Sequence, residues 1–142
     1  MKNILVTGCN GQLGSEFKNL EPNYPKINFF FKDIELDISN KLIIKNFIIE
    51  NNVTIILNTA AYTDVNKAEN ERKKADLVNG ESVKNLVELC EKYNCKLIHY
   101  STDYVYDGKS KKPIDESSLT NPKNYYGKSK RKGEIFIENS FS

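Results

Sequence analysis

Residues 4–14 read Ile-Leu-Val-Thr-Gly-Cys-Asn-Gly-Gln-Leu-Gly, so a short apolar run leads directly into a stretch with three glycines. The run over residues 4–7 has the length and the β-branched residues of a buried strand. The residues that follow the turn predict a helix over residues 12–20. A strand, a glycine turn and a helix in this order are typical of the start of a βαβ unit, so the stretch indicates an α/β fold.

The glycines of this turn have the spacing Gly-x-x-Gly-x-x-Gly. Gly8 permits a tight turn out of the strand, Gly11 allows close approach of the backbone to a ligand, and Gly14 allows the helix to pack against the sheet. The N–H groups and the dipole at the N-terminus of the helix favour the negative charge of a pyrophosphate. The turn therefore predicts a dinucleotide-binding site, and a glycine-rich turn with a structural role only is the alternative.

Strands and helices alternate along the rest of the chain. Ser39 is the predicted N-cap of a helix with apolar residues at Ile43, Ile44, Phe47 and Ile48. Further strands are predicted over residues 27–31, 53–57 and 96–100, and further helices over residues 72–93 and 123–139. Short buried strands separated by helices predict a doubly wound parallel sheet, a Rossmann-like fold with helices on both faces.

This sheet has fewer strands than a complete dinucleotide fold. Four strands are predicted, whereas the complete fold has about six. We therefore expect residues 1–142 to form one truncated dinucleotide-binding domain. The C-terminal strands and the substrate region are expected to be missing from this sequence.

The composition excludes two classes of partner. The chain is 39% hydrophobic and 28% charged, with a net charge of +2, which is ordinary for a globular protein. Its one basic cluster, Lys109, Lys111 and Lys112, is predicted to be a solvated loop, so no nucleic-acid partner is expected. No apolar run approaches the ~18 residues of a membrane span, so no membrane partner is expected.

The three cysteines indicate a reducing compartment, because their number is odd and they do not form the dense framework of a disulfide-rich protein. Cys90 and Cys95 have no histidine or cysteine neighbour at metal-binding spacing, so we expect buried apolar residues and no metal site. The expected location of the protein is the cytoplasm.

The region after the second predicted strand is expected to meet the adenosine end of a dinucleotide. Asp37, which precedes Ile38, either accepts a hydrogen bond from adenine or caps the next helix. At the end of the strand, Lys32 suits a 2′-phosphate and Asp33 suits a free ribose hydroxyl. We favour NADPH over NADH through Lys32, and two exposed loop charges are the alternative.

Two segments are expected to carry the chemistry of a reductase. The first follows the fourth predicted strand and contains Thr102, and the second is the last helix, which contains Tyr126 and Lys130. Residues four apart lie on one face of a helix, and a nearby ammonium stabilises a phenolate, so Tyr126 can donate a proton near neutral pH. Lys130 can also bind the nicotinamide ribose, and the Thr102 hydroxyl can hold a substrate carbonyl oxygen.

Several of these residues have a second interpretation. A Tyr-x-x-x-Lys pair by itself is usually a surface pair, and Tyr125 is a rival of Tyr126, although only Tyr126 lies four residues before Lys130. His99, the single histidine, is expected to be a hydrogen-bonded structural residue. Asn79 either bonds toward the active site or faces water, and the sequence does not favour one over the other.

Taken together, these motifs resemble those of the extended short-chain dehydrogenase/reductases, and the closer resemblance is to the dTDP-4-dehydrorhamnose reductase family. The resemblance spans nearly the whole chain, and its most specific segment runs from Ser101 to Val105. The other segments that carry it are Gly11 to Gly14, Leu36 to Ile38, Asn58 to Tyr62 with Lys67 to Glu69, and Tyr126 to Lys130 with Gly133 and Glu134.

The resemblance implies that the protein reduces the C4 ketone of dTDP-4-dehydro-L-rhamnose with NADPH or NADH. It assigns Thr102, Tyr126 and Lys130 to catalysis, and Thr102 and Asp103 to the sugar. The residues that it assigns to the cofactor are Gly11, Gln12 and Leu13 at the pyrophosphate, Asp37 and Ile38 at adenine, and Ala60, Ala61, Tyr62 and Tyr100 along the groove. Lys32 departs from the acid often found at its position in the family, which leaves the choice of cofactor open.

Two other functions remain open at this point. An epimerase or dehydratase of the same superfamily would retain NAD tightly without net turnover. A cofactor-binding regulatory subunit, or a fragment that catalyses nothing, would keep the fold without the activity. The expected partner is a dTDP-sugar, and a homodimer is open for the full-length protein.

Overall fold

A four-stranded parallel sheet forms the centre of the protein, in a computed structural model that describes residues 2–140. The strands are β1 (Lys2–Thr7), β2 (Ile27–Lys32), β3 (Ile55–Asn58) and β4 (Lys96–His99). Their order across the sheet is β2-β1-β3-β4, and each neighbouring pair is parallel. The carboxyl ends of all four strands therefore lie at one edge, and the predicted α/β fold with four strands is confirmed.

The helices lie between the strands and after the last of them. They are α1 (Gln12–Leu20), α2 (Lys41–Glu50), α3 (Val65–Ala68), α4 (Arg72–Asp76), α5 (Ser82–Tyr93) and α6 (Tyr125–Glu138). A π-helical turn, Leu77–Glu81, joins α4 to α5, so the single helix predicted over residues 72–93 has an irregular turn inside it. Short 3-10 turns cover Glu21–Asn23, Ile34–Leu36 and Asp103–Val105.

Side chains of alternate residues enter two separate hydrophobic clusters, one on each face of the sheet. Leu5 of β1 and Ile56 of β3 belong to the larger cluster, which contains Ile44 of α2 and Leu86 of α5. Ile4, Val6 and Leu57 belong to the smaller cluster, in which Phe17 of α1 packs. Because successive residues of a strand point to opposite faces, this division confirms that helices cover both sides of the sheet.

Two local predictions were wrong. Ser39 is not the N-cap of α2, because the helix begins one residue later and the Asn40 side chain accepts a hydrogen bond from the Ile43 N–H at 3.2 Å. Both residue types are good N-caps, so the local sequence did not separate the two neighbours. Tyr100 was predicted inside the fourth strand, but β4 ends at His99.

Among residues 2–140, none of the helices combines the length and the apolar character that crossing a bilayer requires.

The core at the centre of the sheet gives a stability prediction. Ile56 is 0% exposed, and Ile56→Ala would leave a cavity that its neighbours fill only in part. We expect the free energy of unfolding, measured by urea denaturation, to fall by about 2–5 kcal/mol. Ile34 is 90% exposed, so the control Ile34→Ala should change it by less than about 0.5 kcal/mol. Equal effects of the two substitutions would contradict this assignment of the core.

Candidate active site

The glycine turn has the tight geometry that its spacing predicts. Gly8 has a φ of 66°, and a Cβ at this position would lie 2.6 Å from the backbone nitrogen of Ala60, which follows β3. A Cβ on Gly14 would lie 2.4 Å from the Gly8 carbonyl oxygen. Gly14 therefore allows α1 to pack against the turn itself, whereas the sequence predicted packing against the sheet.

A groove of about 900 Å³ opens beside this turn. Gly11 is the N-cap of α1. Because glycine has no side chain, no N-cap side chain accepts a hydrogen bond from the first N–H groups of the helix. The groove is lined by Gly8, Gly11, Gln12, Leu13, Glu16, Asp33, Ile34, Leu36, Asp37, Ile38, Thr59, Ala60, Ala61, Thr63 and Val78. Its volume and its mixture of apolar and polar residues suit a ligand of dinucleotide size.

Eight of the residues predicted to bind the cofactor line the groove. The predicted residues that do not line it are Gly14, Lys32, Tyr62, Tyr100, Tyr126 and Lys130. The Lys32 ammonium lies 5.6 Å from the centre of the Phe47 ring, and Lys32 is absent from the groove lining. Tyr62 is also absent from the lining, and its hydroxyl donates a hydrogen bond to the Glu71 carboxylate at 3.1 Å. Asp33, which the sequence paired with Lys32, does line the groove.

The two acidic residues predicted to lie near the adenosine end of a cofactor differ in their partners. One carboxylate oxygen of Asp33 accepts the Asn10 N–H of the glycine turn at 3.0 Å. One carboxylate oxygen of Asp37 accepts the Ser39 N–H at 2.9 Å, and Asp37 also lines the groove. Asn40 rather than Asp37 caps α2, so this hydrogen bond closes a turn before the helix, and Asp37 itself lies at the groove.

The segment after β4 and helix α6 pack directly against each other. A Cβ on Gly127 of α6 would lie 2.2 Å from the Tyr104 carbonyl oxygen, so only glycine allows this contact. The Tyr104 and Tyr126 rings form an edge-on pair with centroids 5.7 Å apart. Tyr104 lies two residues after Thr102, so the structure brings the two predicted catalytic segments together.

Thr102 is the N-cap of the 3-10 turn that follows β4, and Asp103 is the first residue of that turn. The Thr102 hydroxyl accepts the Tyr104 N–H at 3.2 Å and lies 3.3 Å from a carboxylate oxygen of Asp103. The capping bond holds the Thr102 side chain in one orientation. Asp103 itself is exposed.

Lys130 is the most unusual charged residue of the site, because its side chain is only 2% exposed. Its amine donates a hydrogen bond to the Tyr100 carbonyl oxygen and lies 3.4 Å from His99 Nε2. Burial lowers the pKa of the Lys130 amine to about 8, and the Glu134 carboxylate opposes this shift. Burial, assisted by the charge of Lys130, lowers the pKa of His99 to about 3, so His99 is neutral near pH 7.

Tyr125 is engaged in a different set of contacts from Tyr126. Its hydroxyl donates a hydrogen bond to the Asp76 carboxylate at 2.9 Å, and the Arg72 guanidinium lies 4.9 Å from the centre of its ring. These contacts tie the N-terminal end of α6 to α4. Tyr125 therefore has a structural role, which favours Tyr126 over Tyr125 as the candidate proton donor.

Asn79, for which the sequence left two interpretations open, points inward from the π-helical turn. Its amide oxygen accepts the Tyr62 N–H at 2.9 Å, and its amide nitrogen donates to the Tyr62 carbonyl at 3.0 Å and to Ser129 Oγ at 2.9 Å. The Ser129 hydroxyl donates to the Tyr126 carbonyl at 2.8 Å. Asn79 thus joins α6 to the segment after β3, and the only signal in the sequence was a polar residue in the middle of an apolar helix face.

Sequence reasoning did not identify the role of Asn58, which is buried at the end of β3. Its side chain lies between Thr7 and His99, with hydrogen-bonding distances of 2.6 and 3.0 Å. From the sequence, Asn58 was recognisable only as part of a motif, because its two partners are 51 and 41 residues away along the chain.

Two proteins of similar sequence are sugar-nucleotide reductases by name. The chain is 38% identical over 138 residues to a dTDP-4-dehydrorhamnose reductase of Aggregatibacter actinomycetemcomitans, with 96% of this chain and 47% of the relative covered. It is 37% identical over 130 residues to a dTDP-4-keto-6-deoxy-D-glucose reductase of Streptomyces niveus, with 92% of this chain and 45% of the relative covered. The chain therefore spans about half the length of these curated relatives.

Solved structures agree with this similarity. The dTDP-4-dehydrorhamnose reductase of Bacillus anthracis, solved in complex with NADP, superposes with a TM-score of 0.92 at 35% identity, over 99% of this chain and 50% of that one. The orthologue from Clostridium acetobutylicum gives a TM-score of 0.91 at 37% identity, over 97% of this chain and 49% of that one. The family model for the RmlD substrate binding domain matches residues 1–142, the whole chain, and the chain therefore belongs to this family.

Proposed function

We propose that residues 1–142 are the dinucleotide-binding domain of a cytoplasmic NAD(P)H-dependent reductase, which converts the C4 ketone of dTDP-4-dehydro-L-rhamnose to the alcohol of dTDP-L-rhamnose. The observation that carries the proposal is the buried Lys130 amine one helical turn after Tyr126, in a helix that packs on the segment of Thr102. The reductase names of the relatives support the same reaction.

The groove fits a dinucleotide in two respects. The space beside Gly8 and Gly14 is already filled by backbone atoms, so these glycines shape the turn rather than leave a void. The N-terminus of α1, capped by Gly11 without a side chain, leaves N–H groups for the pyrophosphate, with Gln12 and Leu13 beside them. Ala60 and Ala61 line the middle of the groove with small side chains.

Each residue of the site has a defined part in ketone reduction. When bound in this groove, NADPH or NADH would supply a hydride to the carbonyl carbon. Tyr126 donates the proton to the carbonyl oxygen, and the Thr102 hydroxyl orients that oxygen. Lys130 stabilises the phenolate that remains and binds the ribose of the cofactor, while Asp103 contacts the sugar. The product is a secondary alcohol, and Tyr126 recovers its proton from water.

The position of Asp33 favours NADH over NADPH. Asp33 lines the groove, whereas the Lys32 ammonium packs on the Phe47 ring. A carboxylate accepts a hydrogen bond from a free 2′-hydroxyl and repels a 2′-phosphate. The proposed preference is therefore the reverse of the one that the sequence favoured through Lys32.

The proton donor can be tested with two neighbouring tyrosines. Tyr126→Phe removes the proposed donor, so we expect kcat to fall by about 10²–10⁴-fold. The assay follows NAD(P)H oxidation with a dTDP-4-keto-6-deoxy sugar, in a preparation that contains this chain and the other half of the fold that its relatives have. Tyr125→Phe is the matched control, because its hydroxyl bonds Asp76, and it should retain most of the activity. Full activity of Tyr126→Phe would contradict the proposed mechanism.

The choice of cofactor can be tested by fluorescence titration with NADH and NADPH. Asp33→Asn removes the negative charge and keeps an oxygen for the Asn10 N–H. We expect the ratio of NADPH to NADH affinity to rise about tenfold, or about 1.4 kcal/mol. The control Glu35→Gln removes an exposed charge that does not line the groove and should leave the ratio unchanged. An unchanged ratio of NADPH to NADH affinity in Asp33→Asn would show that Asp33 does not distinguish a 2′-hydroxyl from a 2′-phosphate.

A further inference from the structure

A row of polar side chains crosses the carboxyl edge of the sheet. Thr7, Asn58 and His99 are the last residues of β1, β3 and β4, and they are register partners in neighbouring strands. The Thr7 hydroxyl lies 2.6 Å from Asn58 Oδ1, and Asn58 Nδ2 lies 3.0 Å from His99 Nδ1. Thr7 and Asn58 are each 1% exposed, so these contacts replace water rather than compete with it.

The row ends on the amine of Lys130. His99 Nε2 lies 3.4 Å from Lys130 Nζ, and the Tyr100 carbonyl accepts another proton of the same amine. The imidazole is neutral near pH 7 because burial and the charge of Lys130 lower the pKa of His99 to about 3. A neutral imidazole has one nitrogen that donates and one that accepts, so the two neighbours decide which nitrogen carries the proton.

The ammonium form of Lys130 allows only one tautomer of His99, whereas the neutral amine also allows the other. An ammonium has no lone pair, so Nε2 must accept and the proton must lie on Nδ1, which donates to the Asn58 amide oxygen. A neutral amine can accept from Nε2–H, and Nδ1 then accepts from Asn58 Nδ2. The amide orientation in the structure matches the second arrangement, and a half-turn of the Asn58 amide gives the first.

We propose that His99 is a positioning residue for Lys130, whose tautomer follows the charge of the Lys130 amine through the row formed with Asn58 and Thr7. The imidazole keeps one proton in both states. When Lys130 loses a proton to solvent, the imidazole proton moves from Nδ1 to Nε2, so that Nε2–H donates to the lone pair of the neutral amine. The consequence for catalysis rests on the proposed function, whereas the tautomer coupling itself does not.

Other ionisable groups near this pair belong to α6 and to the loop before it. Glu134 of α6 is the carboxylate that acts on Lys130, and Tyr126 lies one turn before it in the same helix. A second cavity, which His99 lines, is also lined by Tyr106, Glu116, Arg131, Glu134 and Glu138. Arg131 pairs with Glu134 and Glu138, and the Lys130 amine is the charged group that lies within hydrogen-bonding distance of the His99 ring.

Nitrogen NMR of the imidazole tests the proposal without cofactor or substrate. His99 is the only histidine of the chain, so a long-range ¹H–¹⁵N spectrum of the 142-residue protein shows one imidazole. At pH 6 we expect a protonated Nδ1 and an unprotonated Nε2. Above pH 9 we expect the reverse, with a midpoint near 8, the pKa of the Lys130 amine. One tautomer throughout, or an imidazolium at pH 6, would overturn the proposal.

Substitutions of two lysines of α6 test whether the Lys130 amine causes the change of tautomer. Lys130→Met removes the titrating amine, so the change of tautomer between pH 6 and 10 should disappear. Lys128→Met, the matched control at an exposed position of the same helix, should keep it. A tautomer change that persists in Lys130→Met would also overturn the proposal. The wild-type spectrum decides the question even if Lys130→Met does not fold, and a failure here leaves the tests of Tyr126 and Asp33 unaffected.

Discussion

The candidate active site depends on the burial of a single ammonium group. Removing a charged amine from water is costly unless hydrogen bonds replace its hydration. For Lys130 those bonds come from the His99 ring at the end of β4 and from the carbonyl of the next residue, Tyr100. Helix α6 must therefore lie against the carboxyl end of β4, and this position also places Tyr126 against Tyr104.

Further contacts hold α6 in this position. Asn79 bonds Ser129 of α6 and the backbone of Tyr62, so one buried amide joins three segments that are distant in sequence. Asn79 lies in the π-helical turn between α4 and α5, where the widened turn interrupts a long helix. Such turns often occur at functional sites. Here the turn carries the residue that fixes the helix of the proposed proton donor.

Local patterns predicted most of the fold, because strand and helix periodicity depend on residues close in sequence. The helix over residues 12–20 agrees with α1 at both ends, and the four strands were found with errors of one or two residues at most of their ends. The π-helical turn was not predicted, because its hydrogen bonds give no separate periodicity. The choice of Asn40 over Ser39 as N-cap was not predicted, because both residue types cap helices well and the two residues are adjacent.

The sequence by itself determined the α/β class, the glycine turn and the residue types of the proposed chemistry, since each depends on spacing within a few residues. Only the tertiary structure decided which side chains face one another. It placed Asp33 rather than Lys32 at the groove and tied Tyr125 to Asp76. It also aligned Thr7, Asn58 and His99 in register, because parallel pairing joins strand ends that lie far apart along the chain.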